Sequence, residues 1–305
     1  MTTTTTLITQ GTRRRGQARP RRRVEPIYYW FLVPTLILFT LAITVPAVIG
    51  IFFSFTNSIG IGEWQFIGLT NYIALFSDPL VVQSYVFTFS FSLVTVIVVN
   101  VIALLLAVAL TSRIRLKTPL RTIFVIPMVI SAIVISFVFK FLFSNSVPAF
   151  GTWSGIAWLE QSILSNPDWA WLAIVIVTAW QAIPGALLIY IAGILSIPGE
   201  VYEAADIDGA SKFQQLMRIT VPLMLGYIVI NVILGFKGFL NAYDVIKGLT
   251  GGGPGTSTYS IAMTVISGLT TGDYAYQMAN ATVFFVIAVL IAVLQLSITR
   301  GRNAL

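Results

Sequence analysis

Residues 85–110 read YVFTFSFSLVTVIVVNVIALLLAVAL, without one charged side chain. The run lies inside a longer charge-free interval between Asp78 and Arg113. A helix needs about 20 mainly apolar residues to cross the hydrocarbon core of a bilayer. A helix that is apolar on all sides has no face for water. The stretch therefore predicts a membrane-spanning helix.

Five other charge-free intervals repeat this pattern. The predicted spans are 28–53, 85–110, 123–143, 169–191, 223–243 and 278–298. Of the 305 residues, 57% are hydrophobic and only 10% are charged, whereas a soluble domain carries roughly 25% charged residues. The sequence therefore predicts an all-α membrane protein with six transmembrane helices.

Two further charge-free stretches are not counted as spans. Residues 141–159 contain Ser, Asn, Pro and Gly and are predicted to form a loop. Residues 248–272 are rich in Gly, Thr and Ser, and their apolar part, 261–269, is too short to cross. We expect a short re-entrant or interfacial segment there, because irregular backbone at membrane depth must be covered by protein or line a cavity.

Lysine and arginine set the predicted orientation. With the N-terminus inside, only Lys140, Lys237 and Lys247 of the 18 basic residues fall outside the cytoplasmic segments. Both termini are therefore predicted to be cytoplasmic. Residues 1–27 form a basic, disordered N-terminal segment in this reading, and 301–305 form a short tail. A basic run also occurs in nucleic-acid-binding arms, but this one directly precedes a span, so no nucleic-acid partner is predicted.

A cleaved signal peptide is the alternative for the first apolar run. Its apolar region would be about 7–15 residues long. The run 28–53 is longer, so we expect it to remain as the first helix.

The chain contains no cysteine and no histidine. This composition excludes disulfides, thiol nucleophiles, Cys/His zinc sites and histidine general bases. No lysine follows a glycine, so the chain also lacks the phosphate-binding P-loop motif. We predict no catalytic residue, no metal site and no enzyme activity in this chain.

The segment 194–222, between the fourth and fifth spans, contains residues that are typical of helix starts and bends. Pro198 and Glu200 suit the first turn of a helix. Gly209 allows a bend, and Ser211 suits the cap of a second short helix. Four acids lie on this otherwise basic side, beside apolar residues. On spacing alone, the segment is either a solvated linker between spans or a docking surface for a cytoplasmic partner.

Three motifs carry a resemblance to a known family. Residues 203–210 read EAADIDGA and are followed by ITVP at 219–222, which resembles the EAA loop of ABC importer permeases. Residues 66–72, FIGLTNY, and 249–254, LTGGGP, resemble segments of the carbohydrate-uptake branch of that family. The resemblance extends over about 28–300, the predicted permease domain. The chain is identified as a member of that branch, which also includes glycerol-phosphate permeases.

The resemblance implies a type I ABC importer permease fold with cytoplasmic coupling helices. The chain would form half of the path for a sugar or oligosaccharide in the bacterial plasma (inner) membrane. Its implied partners are a second, different permease, two ATPase subunits and an extracytoplasmic solute-binding protein. ATP and Mg would bind to the ATPases, so no cofactor is expected in this chain. The implied ATPase-coupling residues are Glu203, Ala204, Ala205, Asp208, Gly209, Ala210, Phe213 and Leu216.

Two positions depart from the family pattern. Leu216 stands where phenylalanine is common, and it is still bulky enough to fill a pocket. Gly226 stands where a further proline is frequent, and its absence predicts a straighter start of the fifth helix. A glycerol-phosphate or other small-solute permease is the alternative function, followed by an ion-coupled secondary transporter. The second class is disfavoured because no acid lies in the middle of a span.

Polar side chains within spans are candidates for the solute path, since they are costly in lipid and usually face the bundle interior. The alternative for each is a hydrogen bond between helices. Lys237 would pair with Asp244, extend outward, or attract an anionic solute. The glycines 251–253 form either a tight turn at the outer mouth or an anion nest. The candidates are Asn100, Trp180, Gln181, Asn231, Lys237 and Asn241, with Gln295 as a further polar position.

Overall fold

The computed structural model describes residues 27–112 and 117–300. The predictions for most of the basic N-terminal segment, for residues 113–116 and for the tail 301–305 lie outside the described residues. The described part is built from helices, and its one β-bridge is the isolated antiparallel pair Thr56–Phe66.

The first predicted span is helical. α1 (Ile27–Phe39) runs through a π-helical turn, Thr40–Thr44, into α2 (Val45–Phe53). Of the described residues, those up to Val48 belong to one compact unit and those from Ile49 onward belong to a second. All the sites described below lie in the second unit.

α3 (Thr70–Ser77) is a short helix, and α4 (Pro79–Thr111) is the longest one. α4 begins six residues before the predicted span because Asp78 caps it. The Asp78 carboxylate accepts hydrogen bonds from the backbone N–H groups of Leu80 and Val81, at 2.9 and 3.4 Å. Pro79 occupies the first turn, where a missing N–H costs nothing.

The third predicted span, 123–143, is divided in the structure. α5 (Lys117–Val129) ends at a break, and α6 (Ala132–Phe141) starts after it. A π-helical turn at Leu142–Ser146 then leads directly into α7 (Val147–Ser154).

The predicted loop at 141–159 is therefore wrong as far as Ser154. The π-helical turn accommodates the polar stretch, and Asn145 Nδ2 donates to the Phe141 carbonyl at 3.2 Å. Pro148 lies in the first turn of α7, where proline is tolerated. The helix ends only at Gly155, whose φ is +71°. Polar composition alone thus does not end a helix here.

α8 (Ala170–Leu195) matches the fourth predicted span. Three short helices follow: α9 (Gly199–Ile207), α10 (Lys212–Gln215) and, after a π-helical turn at Leu216–Thr220, α11 (Val221–Leu223). We call residues 199–223 the arm. α12 (Leu225–Leu240) then corresponds to the fifth span.

The axis bends by 69° between Lys212–Leu223 and Leu225–Leu240. The expectation of a straighter start for the fifth helix is therefore wrong. Met224, at the bend, is fully buried. Its sulfur lies against Gly193 of α8, where an added Cβ would be 2.7 Å from Met224 Sδ. Packing of Met224 against α8 accompanies this bend, and Pro222 lies two residues before it.

α13 (Asp244–Leu249), α14 (Ile261–Thr271) and α15 (Tyr274–Arg300) complete the described chain. α14 has 11 residues, too few to cross a bilayer. It agrees with the short segment predicted at 261–269. α15 covers the sixth predicted span.

Five helices of the described chain are long and apolar enough to cross a membrane, and a sixth crossing requires the bent pair to count as one span. α4 and α8 make the most extensive helix–helix contact in this part of the chain. Small residues allow this close approach: Ala103 and Ala107 of α4 and Ala173 of α8 are fully buried.

Candidate functional site

The arm folds back on itself at Gly209. This residue has φ +73°, and the N–H of Ala210 donates to the Ala205 carbonyl at 2.9 Å. Ser211 then starts α10 with a capping box, in which its hydroxyl accepts from the Gln214 N–H and its own N–H donates to Gln214 Oε1. The predicted bend at Gly209 and cap at Ser211 are confirmed.

Gln215 joins the two halves of the arm from inside. It is 4% exposed, and its Nε2 donates to Asp206 Oδ1 at 2.5 Å and to the Ala210 carbonyl at 3.1 Å. Lys212 Nζ donates to Asp206 Oδ1 at 2.8 Å and to Gln215 Oε1 at 3.1 Å. We call Asp206, Lys212 and Gln215 the hub.

The hub places the positive Lys212 ammonium against the negative Asp206 carboxylate. The hydrogen bond from Lys212, together with that from Gln215, holds the pKa of Asp206 below its ordinary value. Asp206 therefore stays charged at neutral pH, although its pair with Lys212 is exposed and contributes little by itself. Sequence reasoning did not assign Lys212 and Gln215 a role. The available signal was a pair of opposite charges on either side of a predicted bend.

A second contact closes the base of the arm. The hydroxyls of Tyr202 and Thr220 lie 2.9 Å apart, which links α9 to the π-helical turn before α11. Thr220 is buried and its hydroxyl also donates to the Gln215 carbonyl at 3.3 Å. The arm is thus a hydrogen-bonded unit and not a flexible linker.

The arm exposes three large apolar side chains among its charged residues. Ile207 is 87% exposed, Phe213 67% and Met217 49%. Large exposed apolar residues grouped in this way mark interaction surfaces on soluble parts of proteins. Phe213 was a predicted coupling residue, whereas Ile207 and Met217 were not.

The other predicted coupling residues divide by exposure. Ala205 is buried, and Ala210 and Leu216 are half-buried. The Glu203 carboxylate has no hydrogen-bond partner within the described part of the chain, so it is available to a partner. The remaining exposed members are Ala204, Asp208 and Gly209.

Two of the solute-path candidates connect α8 to its neighbours. Asn100 of α4 accepts a hydrogen bond from the buried Tyr190 hydroxyl, and its Nδ2 donates to the Val96 carbonyl at 2.8 Å. Asn231 of α12 is buried and donates to the Ala186 carbonyl at 3.1 Å. Both side chains hold helices together in this state.

Gln181 lies beside the break between α5 and α6, whereas Trp180 contacts α6 near its C-terminal end. Gln181 Nε2 donates to the Ile130 carbonyl at 2.9 Å, which satisfies an acceptor that the break leaves without a helical donor. The Trp180 ring packs on Phe139 with centroids 5.3 Å apart and remains 38% exposed.

Lys237 and Asn241 lie on the open face of α12, with the exposed Ile230 and Leu234. Asn241 Nδ2 donates to the Lys237 carbonyl at 2.9 Å. Of the three alternatives for Lys237, the ion pair with Asp244 is not formed, because the only salt bridge among the described residues joins Lys212 to Asp206. The Lys237 ammonium is therefore free of an acidic partner in the described chain.

The described residues include no group of three or more His, Cys, Asp or Glu side chains that could hold a metal ion.

A model of the family described as binding-protein-dependent transport system inner membrane components matches residues 100–304. The chain belongs to this family. The matched range includes the arm, α8, α12 and α15, so it covers both the hub and the open face of α12. The predicted resemblance to carbohydrate-uptake permeases and the predicted inner-membrane location are confirmed.

Two relatives align with the permease over nearly their whole length. It is 34% identical to the multiple sugar-binding transport system permease protein MsmF of Streptococcus mutans, over 89% of this chain and 96% of the relative. It is 32% identical to the probable starch degradation products transport system permease protein AmyD of Thermoanaerobacterium thermosulfurigenes, over 91% and 95%.

A solved structure has the same fold as the permease. It is a crystal structure of a bacterial ABC transporter involved in the import of the acidic polysaccharide alginate. The superposition gives a TM-score of 0.79 with 22% sequence identity and covers 90% of this chain and 95% of that one. The family and the two relatives show that the chain is a transport permease.

Proposed function

We propose that the permease forms half of the translocation path of an ATP-driven importer for a sugar or oligosaccharide delivered by a solute-binding protein. The observation that carries the proposal is the arm, a hydrogen-bonded unit that exposes three large apolar side chains, Ile207, Phe213 and Met217. A linker that only connects two spans needs neither feature.

The arm is proposed to seat in a cleft of an ATPase subunit. Ile207, Phe213 and Met217 would fill the cleft, and Glu203 would accept charge-assisted hydrogen bonds from it. ATP and Mg would bind to two such ATPases. A second permease, different in sequence, would complete the path.

The connection between the arm and α12 would transmit movement of the arm into the membrane. The hub and the Tyr202–Thr220 contact make the arm move as one body. Its last helix meets α12 at the buried Met224 bend. A shift of the arm would therefore change the angle of α12 and with it the open face that carries Lys237 and Asn241.

The six solute-path candidates are proposed to have two roles. Trp180, Lys237 and Asn241 have exposed side chains and would contact solute. Asn100, Gln181 and Asn231 satisfy backbone or tyrosine groups on neighbouring helices and would hold the path in shape. The names of MsmF and AmyD support a saccharide as the solute, and the unpaired Lys237 favours an anionic solute as the second candidate.

The proposed domain is 28–300, with both chain ends on the cytoplasmic side, where the arm would meet the ATPases. Five unbroken helices and one bent pair fit six crossings. An even number of crossings returns the chain to the side on which it starts.

The proposal is tested by uptake into vesicles that contain the permease with its partner subunits. Uptake should require ATP and the binding protein and should not respond to ionophores that collapse ion gradients. Ionophore-sensitive uptake without ATP would instead indicate a secondary transporter.

Glu203→Ala gives the matching test of the arm. We expect ATP hydrolysis to continue while uptake falls at least 10-fold, because the anchoring carboxylate is lost. Glu200→Ala, also exposed and on the same helix, should keep uptake near the original rate. Normal uptake by the Glu203→Ala permease would show that the arm does not couple the two activities.

A further inference from the structure

A pocket of about 230 Å³ lies just beyond the open face of α12. Tyr243, two residues after Asn241, forms one wall, and Tyr259 forms another. Lys247 of α13 and Ser267 and Thr270 of α14 complete the polar lining. We call this the tyrosine pocket.

The glycine turn positions Tyr259. Gly252 has φ +95°, and a Cβ at this position would lie 2.4 Å from Tyr259 Cδ2. Thr258 fixes the turn, since its hydroxyl donates to the Gly253 carbonyl at 2.7 Å and lies 2.8 Å from the Thr250 hydroxyl. Gly252 is thus required for the tyrosine ring to occupy this wall.

Of the remaining lining residues, Met263 and Ile266 are apolar, and Ser267 and Thr270 carry hydroxyls. The Tyr259 hydroxyl lies 2.7 Å from Ser267 Oγ, and the Thr270 hydroxyl donates to the Ser267 carbonyl at 2.7 Å. A hydrogen bond also joins the start of α14 to the chain just after α12, because Ser260 Oγ donates to the Ala242 carbonyl at 3.3 Å.

Lys247 gives the pocket its charge. The side chain is exposed and makes no salt bridge among the described residues. No aspartate or glutamate belongs to the lining. An ammonium beside two aromatic rings and several hydroxyls favours a ligand with an apolar ring face, hydroxyl groups and a negative charge.

We infer that the tyrosine pocket is a subsite for one acidic sugar ring, with Lys247 pairing the carboxylate and Tyr243 or Tyr259 packing on the ring. The volume is below the roughly 300–1,000 Å³ of sites for drug-sized ligands, which suits a single ring. This inference rests on the proposed function and specifies a substrate class for it.

The cysteine-free sequence provides a direct test. Thr270→Cys introduces one thiol in the pocket of the assembled transporter, and detergent gives reagents access from both sides. We expect an anionic methanethiosulfonate to react faster than a cationic one. Adding Lys247→Gln should lower that preference at least 3-fold, and because Lys247 is exposed, this change should not disturb folding.

Protection by sugars identifies the ligand class. Trigalacturonic acid should slow the modification of Thr270→Cys at least 3-fold more than maltotriose at the same concentration, and Lys247→Gln should remove this difference. Equal protection by both sugars, or no protection, would overturn the inference. A thiol that no reagent reaches would also overturn it, because a second chain or lipid would then cover the pocket.

The same preparations separate this result from the proposed function. ATP hydrolysis stimulated by the binding protein reports the importer itself. Stimulated hydrolysis without selective protection would support the proposed importer and contradict the acidic-sugar subsite. Selective protection without stimulation would retain the acidic-sugar pocket and contradict the ATP-driven mechanism.

Discussion

Gln215 shows how one buried amide shapes the arm. Its two ends satisfy groups on both sides of the Gly209 bend, the Asp206 carboxylate and the Lys212 ammonium, and its Nε2 also reaches the Ala210 carbonyl. Removing a buried partner costs about 1–3 kcal/mol when its acceptors stay unsatisfied. At the residue scale, the rigidity of the arm therefore depends more on Gln215 than on the exposed Lys212–Asp206 pair.

Gln215→Ala should loosen the arm without unfolding the helices around it. We expect amide hydrogen exchange within 199–223 to rise by about 10-fold, as a local loss of about 1.4 kcal/mol implies, while exchange in α4 and α8 stays unchanged. Gln214→Ala, next to it but exposed, loses a capping contact and should have a smaller effect. Equal exchange in the two variants would show that the hub does not hold the arm.

At the element scale, glycines set how closely helices approach. α13 packs on α6 at Gly248, where a Cβ would lie 1.8 Å from Ser136 Oγ and 2.8 Å from Ser136 Cβ. Both positions are buried, and extra atoms in a packed interior typically cost about 1–3 kcal/mol. This contact places α13, and hence Lys247, against the rest of the bundle.

Gly248→Ala should therefore lower the thermal stability of the purified permease by several degrees. Gly185→Ala is the matched control, because a Cβ at this helical position meets nothing within 4 Å. Adding Ser136→Gly to Gly248→Ala should restore part of the loss by removing the colliding atoms. A Gly248→Ala permease as stable as the Gly185→Ala control would contradict the close contact.

Some elements could be predicted from the sequence and others could not. Lack of charge located the apolar helices, and the spacing of Gly209 and Ser211 located the arm, because both signals are local. The break at 130–131 and the bend at Met224 depend on distant partners, Gln181 and Gly193. Pro127 and Pro222 lie shortly before the two positions, but the contacts that accompany the break and the bend come from tertiary packing.

For the candidate site, too, the sequence predicted the local features but not the contacts between distant residues. The type and order of the arm residues predicted a coupling surface, and this stays a prediction. The hub inside the arm depends on a side chain, Gln215, that local rules treat as neutral. Polar residues in spans were correctly picked out as unusual, but only the structure separates the buried Asn100 and Asn231 contacts from the open Lys237.

At the scale of the whole molecule, α8 is the common support. It packs on α4, carries the Gln181 contact to the α5–α6 break, and holds the Met224 bend through Gly193. The arm and the open face of α12 are thus attached to one central helix. This arrangement suits a part that converts movement at the arm into a change along α12.

Phe213→Cys tests whether the arm seats on an ATPase subunit. The chain has no other cysteine, so one water-soluble maleimide reports this position alone. We expect labelling to slow at least 10-fold when the ATPase subunits are bound, while Gln161→Cys, exposed in the loop before α8, labels at the same rate with or without them. Unchanged labelling of Phe213→Cys in the assembled complex would contradict the seating of the arm on an ATPase subunit.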